Sequence, residues 1–297
     1  LCLITWLILY IGGYQSLEKI LLAMVFIFSV VTLIIAIAMQ STPFSIQAED
    51  ILGGLSFKFP TEHTALALAV FGFTGISYGE IMAYTYWCKE KGYSNHDGDP
   101  RQVRNWIKTM QTDVWITVFL VTIGTIPFFL LGASILNSQG LYPPPNGDII
   151  QTLLVMFTSI LGEWARWFFI PLTFFVLFST FLSGTAAFTR TITDYFISMG
   201  LIIERENTRQ ELVHLIAFLI PAFSCIAYFI LPNPVLLLMI AGIWAALGLP
   251  IVNIGALYLV NKLDNEFQPS NLTKKMLTIT LILQLSIAGL LVASQIS

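Results

Sequence analysis

Long apolar runs separated by short polar segments dominate this chain, and they restrict it more than any other feature. A helix that crosses a bilayer needs roughly 20 mostly apolar residues. Such runs stand at 17–39, 63–87, 114–136, 167–197, 212–231, 235–260 and 276–293. A shorter apolar run at 1–13 reads as the end of a further helix, with a turn at 14–16. Another short run, 149–161, reads as an interfacial helix beside Trp164 and Trp167, because amphipathic aromatics collect at that level. The polar stretches 40–62 and 137–148 read as loops, and 101–111 as a short amphipathic helix before the next span. The expected fold is therefore all-α and polytopic, a single transmembrane domain over 1–297.

Composition agrees. Only 10% of the 297 residues are charged and mean hydropathy is +0.80, so a water-soluble core could not hide the apolar surface. The net charge of -3, with no basic tail, gives no footing for nucleic acid. Cys2, Cys88 and Cys225 are scattered and suggest apolar fillers rather than a disulfide framework. The chain opens on Leu1 inside an apolar run, without a charged leader, which is the expectation for a chain truncated at its N-terminus.

Basic residues orient the spans. With the turn at 14–16 on the cytoplasmic side and strict alternation thereafter, all of the 14 Lys and Arg residues except Lys58 and Arg166 fall inside. A multi-pass protein of the bacterial inner membrane is the expected setting, with the lipid bilayer and a transported ion or small solute as its partners.

The third span carries the chemistry. It places Gly72, Gly75 and Gly79 among Thr74, Ser77 and Tyr78, with Glu80 at the end. Glycine weakens a helix by up to ~1 kcal/mol relative to alanine, and a carboxylate at bilayer depth costs a few kcal/mol. Irregular backbone survives there only when buried in protein or lining a cavity. Thr74, Gly75, Ser77, Tyr78 and Glu80 are therefore the candidate metal-binding residues, through carbonyls, hydroxyls and one carboxylate. The competing reading is a plain helix whose small residues allow close packing, with Glu80 near the cytoplasmic boundary. A second break is expected at Gly248-Leu249-Pro250, where proline frees a carbonyl one turn back, and Asn253 just beyond it is the last candidate ligand. The Ser179, Thr180, Ser183 and Thr185 cluster reads either as a polar path or as packing glue. Arg190 and Asp194, four apart, are expected to pair. His63, His96 and His214 show no ligand spacing and suit solvated or capping roles. Nucleotide-binding, zinc-helix and nucleophile-elbow motifs are missing, so no enzyme is expected.

The order of these features resembles the NRAMP family of divalent metal transporters, in particular its divergent bacterial NRAMP-like branch. GYQSLEKI with the span after it looks like the family's link from fourth to fifth helix. FGFTGISYGEIMAYTYWCKEKGY looks like its discontinuous sixth helix, and the Pro127, STFLSGTAAFTRTITDYF and GLP spans follow in order. The resemblance implies an inverted-repeat, LeuT-like transporter fold from about the fourth to the eleventh helix. Its first broken helix, with an Asp-Pro-Gly-Asn motif, would lie upstream. It also implies alternating access with a divalent cation as substrate and no resident cofactor. The chain departs from the family where a Met-Pro-His motif is expected, reading Ser77-Tyr78-Gly79 instead, and it has no glutamine in GIWAALGLP. Oxygen ligands suit harder ions of the Mn²⁺ and Mg²⁺ kind rather than the softest metals, with Fe²⁺ also within the family's range. The alternatives are an organic-solute carrier on the same fold and a non-transporting membrane scaffold or sensor.

Overall fold

A computed structural model describes residues 2–11, 14–56, 64–93, 99–142, 149–202 and 208–296. Among them there are only helices and their connections. Seven helical spans are long and apolar enough to cross a membrane: Leu21–Met39, Thr64–Glu90, Pro100–Asn137, Ala165–Ser198, Thr208–Ile230, Pro234–Val260 and Asn271–Gly289. They match the seven runs expected, and the all-α polytopic class holds.

The helices group into two compact units interleaved along the chain: Leu1–Ser56 with Ile116–Val235, and Phe57–Trp115 with Leu236–Ser297. In the first unit, α1 (Cys2–Ile11) and α2 (Tyr14–Met39) pack with α8 (Ala165–Ser198) and α9 (Thr208–Ile230). Its apolar core joins the end of α2 to a π-helical segment (Gly132–Asn137), α7 (Ile149–Leu161) and the start of α8. Phe157 and Phe169 meet there with ring centroids 4.6 Å apart. Residues 149–161 do form a helix, α7, which sends Leu154, Met156 and Phe157 into this core, and Trp164 and Trp167 stand exposed at its junction with α8.

In the second unit, α4 (Thr64–Phe73) and α5 (Tyr78–Glu90) form the third span. They accompany the first part of α6 (Pro100–Leu131), α10 (Pro234–Val260) and α11 (Asn271–Ile296).

Several local expectations are corrected. The turn expected at 14–16 is already helical, because α2 begins at Tyr14. The loop expected at 40–62 contains a short helix, α3 (Ala48–Gly54). Its start is sealed by Asp50, whose carboxylate accepts the Gln47 N–H at 2.9 Å. The amphipathic helix expected at 101–111 is not separate. Pro100 suits a helix start, no breaker stands between Gln111 and Val114, and α6 runs on through the span.

The break expected at Gly248-Leu249-Pro250 does not form, and α10 is continuous. A proline removes one donor, and transmembrane helices tolerate that when the freed carbonyl finds another partner. Asp194 receives Arg209 rather than forming the expected pair: Arg209 Nε and Nη2 donate to its two oxygens at 2.8 and 3.3 Å. Arg190 Nη1 donates to the Ala186 carbonyl at 2.8 Å. His214 lies half-buried against Tyr10, ring centroids 4.7 Å apart, rather than in solvent. His63 and His96 lie outside the described residues. The described cysteines are all free, and Cys88 is buried as a filler should be.

Candidate metal-ion site in the broken third span

The third span is helical to Phe73 and again from Tyr78, with residues 74–77 between. Gly75 adopts φ +90°, a conformation that side chains disfavour. Ser77 is extended, at φ -74° and ψ 163°. The break expected at these residues is real.

Its two ends differ electrically. At the C-terminal end of α4, the last turn's carbonyls have no partner within the helix, and the helix dipole is negative there. The Val70 carbonyl is served twice, by the Thr74 N–H at 2.8 Å and the Thr74 hydroxyl at 2.6 Å. At the N-terminal end of α5, Ser77 and Glu80 form a capping box, and Glu80 Oε2 accepts the Ser77 N–H at 2.7 Å. One donor at that end, the Ser77 N–H, is thus engaged by a carboxylate from the chain itself. The carbonyl end of α4 and the Glu80 carboxylate both place negative charge beside residues 74–77. Thr74, Gly75 and Glu80 are exposed, while Ser77 and Tyr78 are half-buried.

Close packing on α10 holds the break in place. Gly72 lies against the Gly242 carbonyl so closely that a Cβ would overlap it, and the Ala246 nitrogen would be 2.8 Å away. A Cβ on Gly242 would stand 2.5 Å from the Ala69 carbonyl oxygen. Small residues four apart, Gly242 and Ala246, permit this contact as they do between membrane helices generally. Both readings of the glycines are therefore partly right: Gly72 serves packing and Gly75 serves the break. Gly242 was not singled out in the sequence, where the small-xxx-small spacing of Gly242 and Ala246 was the available signal, and Gly248 entered there only as part of an expected break.

At its far end α5 is tied to α6. The Tyr84 hydroxyl donates to the Met110 carbonyl at 3.3 Å, and the Tyr93 hydroxyl donates to Asp113 Oδ2 at 2.7 Å. Lys91 Nζ stands 3.7 Å from the same carboxylate oxygen. Tyr93 also stacks on Trp106, with centroids 4.8 Å apart.

Asn253 is buried, but the contacts described for it run to α11. Its Nδ2 donates to Gln284 Oε1 at 3.1 Å and to the Leu277 carbonyl at 3.4 Å, and its Oδ1 is buried without a partner. The Ser179, Thr180, Ser183 and Thr185 hydroxyls donate to carbonyls of their own helix, so these bonds neither line a path nor join α8 to another helix. Among the described residues, no three His, Cys, Asp or Glu side chains gather as a metal site. A cation at the break would be met by carbonyl and hydroxyl oxygens, with Glu80 as the nearest charge in sequence.

A multi-pass α-helical protein with one membrane span broken at an oxygen-rich turn belongs to the class of membrane transporters. The model of the Nramp family, described as natural resistance-associated macrophage protein-like, matches residues 1–294, and the chain belongs to that family. Its function is accordingly the transport of divalent metal cations across the membrane. Neither a curated protein nor a solved structure matches the chain.

Proposed function

We propose that the protein is a secondary transporter that carries a divalent cation of the Mn²⁺, Mg²⁺ or Fe²⁺ kind by alternating access. In this reading residues 1–297 serve as one transporter domain of inverted-repeat type in a bacterial inner membrane. The cation binds in the break of the third span. Thr74, Gly75, Ser77 and Tyr78 supply carbonyl and hydroxyl oxygens, and Glu80 supplies negative charge. Asn253 acts from α10 without direct contact.

The single observation that carries this reading is the polarity of the break. The negative end of α4 faces it, and the positive end of α5 is already capped by the Glu80 carboxylate. An organic carboxylate approaching the α5 amides would meet the like-charged Glu80 carboxylate there, so the capping favours a cation. Neutral oxygens with no Met, His or Cys in residues 74–80 favour hard ions.

The test is uptake into proteoliposomes of the purified full-length protein, with Mn²⁺, Mg²⁺, Fe²⁺ and Ca²⁺ offered separately. Saturable uptake of one cation that falls in Ser77→Ala or Glu80→Gln supports the site and names the substrate. Absence of uptake for every cation by folded, inserted protein sinks the reading and moves it to an organic solute.

A further inference from the structure

The two halves of the broken span grip α10 at different faces. Gly72 lies on Gly242 and Ala246. Tyr78, the first residue of α5, lays its ring on Gly248. A Cβ at Gly248 would stand 2.6 Å from Tyr78 Cδ1, 2.7 Å from Cγ and 3.0 Å from Cε1. Gly242 and Gly248 are six residues apart, which is about 600° of helix, so the two contacts lie about 120° apart around α10. The turn at Gly75, with its positive φ, carries the chain from the first face toward the second.

We propose that Gly248 is a notch that seats the Tyr78 ring and thereby fixes where α5 begins relative to α4. Tyr78 is in this respect a positioning residue: it sets the spacing of the oxygen-bearing turn at residues 74–77. The inference rests on the reading of that turn as the transport site. The notch cannot take a methyl group cheaply. The ring atoms nearest to it include Cγ, one bond from Cβ, so the ring clears a methyl group only by leaving its χ1 rotamer or by a shift of the start of α5. Gly255, further along the same helix, would meet nothing within 4 Å and has no such task.

The experiment measures two quantities on the full-length protein. One is the rate at which an aqueous thiol reagent labels Thr74→Cys, with Cys2, Cys88 and Cys225 replaced by alanine. The other is kcat/KM for cation uptake into proteoliposomes. Gly248→Ala is expected to shift the labelling rate about tenfold and to lower kcat/KM about tenfold, as overpacking at a tight contact does. Gly255→Ala should change neither. Tyr78→Phe keeps the ring and should label at the parent rate, whereas Tyr78→Ala should shift it. Adding Gly248→Ala to Tyr78→Ala should then produce no further shift, because the ring that clashes has gone.

Parent-like labelling of Gly248→Ala, or additive effects in the double variant, overturns the seat. If Gly248→Ala fails to fold, the contrast between Tyr78→Phe and Tyr78→Ala decides, and equal labelling of these two overturns it. If the parent protein takes up no cation, the transport reading falls, while the labelling series still decides whether the seat exists.

Discussion

Glu80 Oε2 accepts the Ser77 backbone N–H at 2.7 Å, so the acidic residue of the broken span closes the N-terminus of its own helix. The bond gives Glu80 a local task that is separable from any effect of its charge on a cation.

Glutamine at position 80 keeps an acceptor for the Ser77 N–H and loses the charge. Alanine loses both. Removal of a cap costs about 1 kcal/mol, so Glu80→Ala should lower the thermal midpoint in detergent while Glu80→Gln stays close to the parent. Uptake kcat/KM should fall about tenfold or more in both if the charge attracts the cation. Normal uptake by Glu80→Gln would reduce Glu80 to a cap.

Gly72 and Gly242 leave no room for a methyl group between α4 and α10. Gly72→Ala or Gly242→Ala should destabilise the protein by about 1–3 kcal/mol, read as a lower melting midpoint. Gly255→Ala, on the open side of α10, should not lower it. A parent-like midpoint for Gly72→Ala would show that these helices are not packed as described.

Asn253 and Gln284 share a hydrogen bond at 3.1 Å. Such bonds between membrane helices average about 0.6 kcal/mol, whereas a polar group stranded in the interior costs about 1–3 kcal/mol. Gln284→Leu, which strips Asn253 of one of its partners, should therefore cost more stability than the double variant with Asn253→Leu. Chemical-denaturant unfolding of the three variants checks the order, and simple additivity would contradict it.

Arg209 grips Asp194 with two nitrogens, and both side chains are partly exposed, 36% and 27%. Partial exposure screens the pair, so Asp194→Asn should cost no more than about 1 kcal/mol. The loss should shrink as salt is raised. A large, salt-independent loss would mean that Asp194 serves something other than Arg209.

The class of the protein was legible from the runs alone, since apolar residues sustained over a bilayer's thickness have only one comfortable solvent. The break was legible too. Thr74, Gly75 and Ser77 weaken a helix by local backbone effects, and those act over a few residues whatever the rest of the fold does. The GLP stretch carried a similar local signal and misled, because whether Pro250 breaks a helix depends on what receives the freed carbonyl and on how the small residues around it pack.

What tertiary structure alone decided is partnership. Asp194 had a basic residue one turn away at Arg190 and another across a connection at Arg209, and helix spacing cannot rank them. Asn253 stood just beyond the expected second break in sequence, but its place on the turn of α10 directs it to Gln284 and Leu277 of α11. Gly248 read as one more weak point in a helix, and only the arrival of the Tyr78 ring made it a notch. Local sequence determines where a helix runs and where it falters, because those costs are paid within a few residues. The face each residue presents, and to whom, follows from how separate helices fill one another's grooves.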